Sequence, residues 1–230
     1  LPQLLGSQND MATIRLFEKE LSELSEDVLQ MAEWVEDGYD CLFATLEKKD
    51  AETMKRFVRH DRVIGDMQRN IESKCLSLLT RQTPVARDLR TVSAALKVVT
   101  DLERIGNHLS DMAELFTRMG LEDPSAYSAV MPDMIKETRE LIRKAVESFV
   151  KRNIELAREA VAADDKIDDC FNRVKLDVVE GLKKDRADAD SCVDVLMIAK
   201  YLEKIGDHGV NIGEWEIFQE TGIMEETRLL

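Results

Sequence analysis

The sequence predicts an all-α fold, a tandem duplication of a three-helix bundle with six long helices, and three observations carry that reading. Glycine and proline supply only 10 and 4 of the 230 residues, while 34% are charged and 44% hydrophobic. Few breakers and many charges favour long helices with a solvated face over strands and turns. Apolar residues also recur in steps of three and four along six stretches, the period of a helix with one buried face. Finally, one segment near the middle of the chain is repeated without gaps near its end, as internal duplication requires.

The elements follow in order. A first helix is expected along the seam Ile14, Phe17, Leu21, Leu24, Val28, Met31, Val35 and Leu42, with a gap at Gly38. A second should run from about Ala51 to Leu79, with Met54, Phe57, Ile64, Ile71, Cys75 and Leu78 inward. Thr83-Pro84 then reads as N-cap and first residue of a third helix, because proline lacks an N–H that would have no partner there. Its seam is Leu89, Val92, Leu96 and Val99, continued by Leu102, Ile105, Leu109 and Met112. Gly120–Pro132 collects Gly, Asp, Ser and two prolines and is the expected linker, dividing a first bundle (1–121) from a second (122–230). Beyond it, helices are expected at about Pro132–Val161, Ala163–Lys184 and Ser191–Phe218.

The duplication is explicit. Asp101-Leu-Glu-Arg-Ile-Gly-Asn-His-Leu-Ser-Asp-Met-Ala-Glu114 aligns on Tyr201-Leu-Glu-Lys-Ile-Gly-Asp-His-Gly-Val-Asn-Ile-Gly-Glu214, an offset of 100. Upstream, Asp61-Arg-Val-Ile64 aligns on Asp164-Asp-Lys-Ile167, an offset of 103. Gly106 and Gly206 weaken a helix by roughly 1 kcal/mol relative to alanine. Close approach of a neighbouring helix or backbone access to a site would each explain them.

Charge and cysteine usage narrow the function. A net charge of −14 disfavours direct nucleic-acid binding, since phosphates would be repelled. Cys41, Cys75, Cys170 and Cys192 are far apart with no Cys-x-x-Cys pair, so they read as reduced thiols of a cytoplasmic protein. No apolar run approaches the ~20 residues of a membrane span, and Leu1–Asp10 lacks the pattern of a signal peptide. Any membrane association is expected through protein partners.

The candidate chemistry is a polar stripe. Glu203, Asp207 and Asn211 recur every fourth residue with Glu214 beyond them, and Asp164 and Asp168 form a second such pair on the preceding helix. Asp61 and Glu103 lie on the inward seams of the first half, where a carboxylate must reach water, a cation or a proton. Crowded carboxylates suit hard cations such as magnesium, calcium or manganese, and also iron. A solvated acidic face is the plainer explanation of any one pair. The first half is poorer in acids: Gly65 and Asn107 stand where the second has Asp168 and Asp207, and Asp111 could compensate in part. A stronger site is therefore expected in the second half. His108 and His208 read as packing or hydrogen-bonding residues rather than ligands.

Thr83-Pro-Val-Ala-Arg-Asp-Leu-Arg90 followed by Asp-Leu-Glu-Arg-Ile-Gly-Asn-His, and again Tyr-Leu-Glu-Lys-Ile-Gly-Asp-His, resembles the PhoU family of phosphate-uptake and phosphate-signalling regulators. The resemblance runs from about Ile14 to Phe218. It implies a three-helix bundle in each half, and acidic motifs that bind metal in some members, iron first, with zinc, manganese, magnesium and calcium open. Asp164-x-x-x-Asp168 and Glu203-x-x-x-Asp207 match the motif in full, while Asp61-x-x-x-Gly65 and Glu103-x-x-x-Asn107 keep only the first acid. The resemblance further implies a non-enzymatic adaptor that contacts the phosphate-transporter ATPase and a sensor histidine kinase, and a homodimer is the expected assembly. Arg87 and Arg90 are candidate contacts for an acidic partner surface. The alternative is a carboxylate-bridged metalloenzyme or metal-storage bundle. Against the enzyme, His60, His108 and His208 follow Phe57, Ile105 and Ile205 at three residues, so the Glu-x-x-His plan of di-iron bundles is missing, as is any phosphate-binding loop.

Overall fold

A computed structural model describes residues 2–58, 61–81, 86–184 and 188–224, with the side chains of 2–15, 61 and 81 outside the description. Eight α-helices run in order: α1 (Pro2–Glu47), α2 (Ala51–Phe57), α3 (Asp61–Arg81), α4 (Ala86–Arg118), α5 (Met131–Lys151), α6 (Ile154–Ala162), α7 (Asp164–Lys183) and α8 (Ala189–Thr221). Six are long, and no strand occurs among the described residues. Each half is one set: α1–α4, then α5–α8.

The second predicted helix is divided between α2 and α3, and the fourth between α5 and α6. After α1, Lys49 takes a left-handed conformation (φ 53°), and after α5 Arg152 does the same (φ 51°). The next residue closes each helix: Asp50 N–H donates to Thr45 O (3.1 Å) and Asn153 N–H to Ser148 O (2.9 Å). Those same residues cap the helix that follows, Asp50 accepting from Thr53 N–H and Asn153 from Leu156 N–H, both at 3.0 Å. One residue therefore ends one helix and starts another, by the same device in both halves. The short helices α2 and α6 bury Met54 and Phe57, and Ala157 and Ala160.

The predicted core largely holds. Phe17, Leu24, Val28, Met31, Val35 and Leu42 of α1 are buried, as are Ile64, Ile71, Cys75 and Leu78 of α3. Leu89 is a correction: it is 45% exposed, and Leu96 is half-buried. The buried face of α4 instead starts at Val92 and Ala95 and runs through Val99, Leu102, Ile105 and Leu109. The predicted cap at Thr83-Pro84 lies outside the described residues.

The halves share one continuous core. The broadest contact between any two helices joins α4 to α8, across the halves. Polar ties reinforce it. Tyr39 of α1 donates to Ile135 O of α5 at 2.7 Å, and Arg139 of α5 grips Asp40 (2.6 and 2.8 Å) and Glu36 (3.0 Å). Arg118 pairs with both oxygens of Asp194, which is 5% exposed, at the other end of the α4–α8 contact. The connection between the halves turns on two consecutive left-handed residues, Gly120 and Leu121, before a 3-10 turn at Pro124–Ala126.

Candidate functional site

The start of α7 lies against the middle of α8 closely enough that a Cβ on Gly206 would come within 3.0 Å of Ile167 Cδ1. The first half repeats the arrangement, with a Cβ on Gly106 at 2.6 Å from Ile64 Cδ1. Of the two reasons for these glycines, close helix approach is the one the geometry shows. At Gly206 it also draws an acid inward, since Asp164 Oδ1 lies 3.8 Å from the absent Cβ.

That approach gathers the four second-half carboxylates. Burial, and then the charges of Asp168, Asp207, Asp165 and Glu203, push Asp164 up to about 6. Its Oδ1 is buried without a hydrogen-bond partner. Two lysines meet the other helix's acids. Lys204 donates to Asp207 at 2.7 Å and stands 3.7 Å from Glu203, which raises the lysine's own pKa through the Asp207 hydrogen bond. Lys200 Nζ is 2.7 Å from Glu203 Oε2, poorly aligned as a hydrogen bond, and lies over the Phe171 ring at 5.1 Å. Among the described residues no three His, Cys, Asp or Glu side chains form a ready-made metal-ligand group.

The first half is built differently. The side chain of Asp61 lies outside the description. Over Gly65 lies the Arg69 guanidinium, its Nη1 3.5 Å from where a Cβ would stand, and Arg69 pairs with Asp66. Asn107 donates to Glu103 at 2.7 Å, with Arg104 3.9 Å from the same carboxylate. Asp111 stays half-exposed beside His108 at 3.6 Å rather than turning toward Glu103. Amide and guanidinium thus stand where the second half has carboxylates, along an open groove of 740 Å³.

Between the two acidic regions is a polar centre that the sequence reading missed. The rings of His108 and His208 stack at 5.6 Å where α4 meets α8. Asp101 accepts from Asn211 Nδ2 (3.0 Å) and lies 2.8 Å from His208 Nδ1. On the other side, Tyr201 lies 5.2 Å from the His108 ring. Burial and the neighbouring His208 hold His108 below the usual histidine range. Asp101 and Tyr201 occupy equivalent places in the repeat and differ, so divergence inside the repeat was the available signal.

Arg90 is turned to internal use: its Nε donates to Gln219 O at 3.2 Å, closing the C-terminal turn of α8 near Gly222. Arg87 is exposed at the start of α4. Cys75 and Cys192 are buried and all four cysteines are free thiols.

Comparison with known proteins matches these features to one family. The PhoU domain matches residues 28–116 and again 131–215, once in each half. A "Phosphate-specific transport system accessory protein PhoU homolog" from Clostridium acetobutylicum is 34% identical, covering 91% of this chain and 96% of its own length. A homologue of the same description from Methanothermobacter thermautotrophicus is 31% identical, covering 90% of this chain and 94% of its own length. The crystal structure of the phosphate transport system regulatory protein PhoU from Streptococcus pneumoniae superposes with a TM-score of 0.83 at 26% identity, covering 92% of this chain and all (100%) of that one. With the domain matched in both halves, the α4–α8 core intact and relatives aligned over nearly their whole length, this chain belongs to the PhoU family.

Proposed function

We propose that the protein is a non-catalytic regulator of phosphate uptake and of phosphate-responsive two-component signalling. It acts in the cytoplasm, as a homodimer, by contact with the phosphate-transporter ATPase and the sensor histidine kinase. Family membership supports this reading, as do relatives named as accessory proteins of phosphate transport. No helix among the described residues is long and apolar enough to cross a membrane, which fits docking through protein partners.

The same reading gives the second-half carboxylates a metal. The observation that carries it is Asp164 Oδ1, buried and unpartnered among Asp168, Glu203 and Asp207. Four carboxylates from two helices suit a hard cation, with iron favoured by family resemblance and zinc, manganese, magnesium or calcium as alternatives. Such an ion would supply positive charge that holds α7 to α8, taking over the neutralisation now provided by Lys200 and Lys204. The first-half set of Asp61, Glu103, Asn107 and Asp111 would bind more weakly, because a guanidinium and an amide already occupy it.

One strain set tests both parts. Glu203→Gln with Asp207→Asn should leave the protein folded but fail to restore phosphate-dependent reporter expression in a deletion strain. Under chelator challenge, Glu203→Gln should lose tightly held metal that Glu103→Gln retains. Full restoration by the double variant would remove the acidic site from signalling, and equal metal loss would remove the asymmetry.

A further inference from the structure

One face of α7 packs into the core and its outer face is left bare. Ile167, Val174 and Val178 are buried, while Leu176, Val179 and Leu182, spaced by three, stay exposed, Leu176 at 60%. Beside it α8 exposes Val193, at 55%, and Met197. The two helices run antiparallel: Ile167 meets Gly206, and Phe171, further along α7, meets Lys200, earlier in α8. Both helices rise equally per residue, so the same register sets Leu176 level with Met197 and Val179 level with Val193. Leu182 follows Phe171 by eleven residues, three turns, and so stands on the side of α7 that α8 borders. Val193 and Met197 precede Lys200 by seven and three, on the face from which that lysine reaches across to α7. These five apolar side chains form one exposed stripe along the α7–α8 seam.

Apolar side chains scattered over a surface need no explanation, but a contiguous stripe does. The duplication shows that the fold does not require this one. At the offsets of 103 and 100, Leu176, Val193 and Met197 have Ser73, Ser93 and Lys97 as counterparts. Val179 and Leu182 keep apolar counterparts, Leu76 and Leu79, the second packed against the core. The inward positions correspond throughout: Ile167, Val174 and Val178 match Ile64, Ile71 and Cys75, all buried. The second half thus shares the buried pattern of the first and differs in an outer face that is apolar.

The charge set into the stripe has one sign. Lys175, Val179 and Lys183 recur every fourth residue on α7, and both lysines are exposed. Neither pairs with an acid among the described residues, and Lys175 donates instead to Asn172 at 3.2 Å. The neighbouring acids are already engaged. Asp177 accepts from Ser128 at 2.7 Å and pairs with Arg173 at 3.0 Å, Glu180 pairs with Lys184, and Asp194 is buried against Arg118. Asp188 caps α8, and Asp190 is exposed in its first turn. Within a chain of net charge −14, two unpaired lysines on an apolar face are a local reversal of charge.

That charge selects among the occupants an apolar stripe can have. A second copy is disfavoured, because two such faces joined would set Lys175 and Lys183 of one against those of the other. An anionic bilayer is repelled by the net charge, and a plane broad enough to cover the stripe also meets Glu180 and Asp190. A single helix is narrow enough to lie along the seam, and carboxylates flanking its apolar row would meet the lysines. We propose that the α7–α8 stripe is a docking surface for an acidic amphipathic helix of a partner protein, its apolar row on Leu176, Val179, Leu182, Val193 and Met197 and its carboxylates on Lys175 and Lys183. The inference rests on the reading of the protein as one that acts by contact, and adds the face used and the chemistry of what docks there.

Fluorescence anisotropy of a labelled peptide made of Leu-Glu-Ala-Leu-Glu-Glu-Ala repeats, titrated with the full chain, tests it against a scrambled peptide of the same composition. The net charge repels both peptides alike, so a difference between them reports the stripe. The expected result is saturable binding of the amphipathic peptide, about tenfold tighter than the scrambled one and weakening as salt rises. Val179→Glu with Met197→Glu should abolish binding and leave the helical content unchanged, since both side chains are exposed. Leu76→Glu, at the first-half counterpart of Val179, should leave binding unchanged. Lys175→Glu with Lys183→Glu should weaken it about fivefold, the loss of two exposed ion pairs. No saturable binding, equal binding of the scrambled peptide, or binding that survives Val179→Glu with Met197→Glu overturns the proposal. So does a dimer, or binding to phosphatidylglycerol vesicles, that the parent shows in sedimentation and this double variant loses, which would give the stripe to a second copy or to lipid. None of these readouts involves metal or reporter expression, so failure here is separable from failure of the regulatory reading.

Discussion

Glu216 shows how one residue can set the stability of the chain at a given pH. It is fully buried, and burial pushes its carboxyl up to about 8, ahead of the smaller influence of Glu220. In the unfolded chain the same group ionises near its ordinary value of 4.5. Between these two values the folded state holds a proton that the unfolded state has released, so stability falls as pH rises from about 4.5 to about 8. Glu216→Gln keeps the volume and removes the titration. It should melt with the parent near pH 4.5 and above it at pH 8, by several degrees given ~2–4 °C per kcal/mol for a chain of this size. A constant gap between the two across that range would assign the carboxyl another environment. Residues of this kind were only partly legible in the sequence. Asp164, Asp168, Glu203 and Asp207 stood out because spacing by four placed them on helix faces. Glu216 and Asp101 did not, since their meaning comes from what faces them across the core.

At the scale of the element, the long seams were readable and the breaks were not. Lys49 and Arg152 carry no breaker chemistry, and neither glycine nor proline marks either turn. The periodicity runs through Arg152, so the sequence suggested one helix from Pro132 to Val161; the helix suggested from Ala51 to Leu79 is divided between α2 and α3, while Lys49 falls between two predicted helices. Only Asn153, a good N-cap that matches Asp50 in the repeat, pointed to the break after α5. A left-handed conformation costs a side-chain-bearing residue roughly 1–2 kcal/mol, which glycine escapes at some expense in unfolded-chain entropy. Lys49→Gly should therefore stabilise the protein by up to about 1 kcal/mol in a denaturant melt. Lys49→Val should do the opposite, because branching at Cβ makes that conformation harder still. A stabilising valine would mean that the turn relaxes away from the left-handed region.

For the whole molecule, the decisive contact is the one between the halves. Because α4 packs on α8 more broadly than on any helix of its own half, neither half can complete its core without the other. Thermal unfolding should then be a single transition, with near-ultraviolet and far-ultraviolet signals coincident. Two separable transitions would show the halves to be independent units. The stacked histidines carry a geometric meaning as well. His108 touches its own duplicate, His208, and the contact of position 101 with position 208 is mirrored by that of 201 with 108. Reciprocity of this kind is the mark of a two-fold axis between identical subunits. The two halves thus meet across a pseudo-two-fold axis inside one polypeptide. The two sides of that axis differ, aspartate standing on one side of the histidine pair and tyrosine on the other.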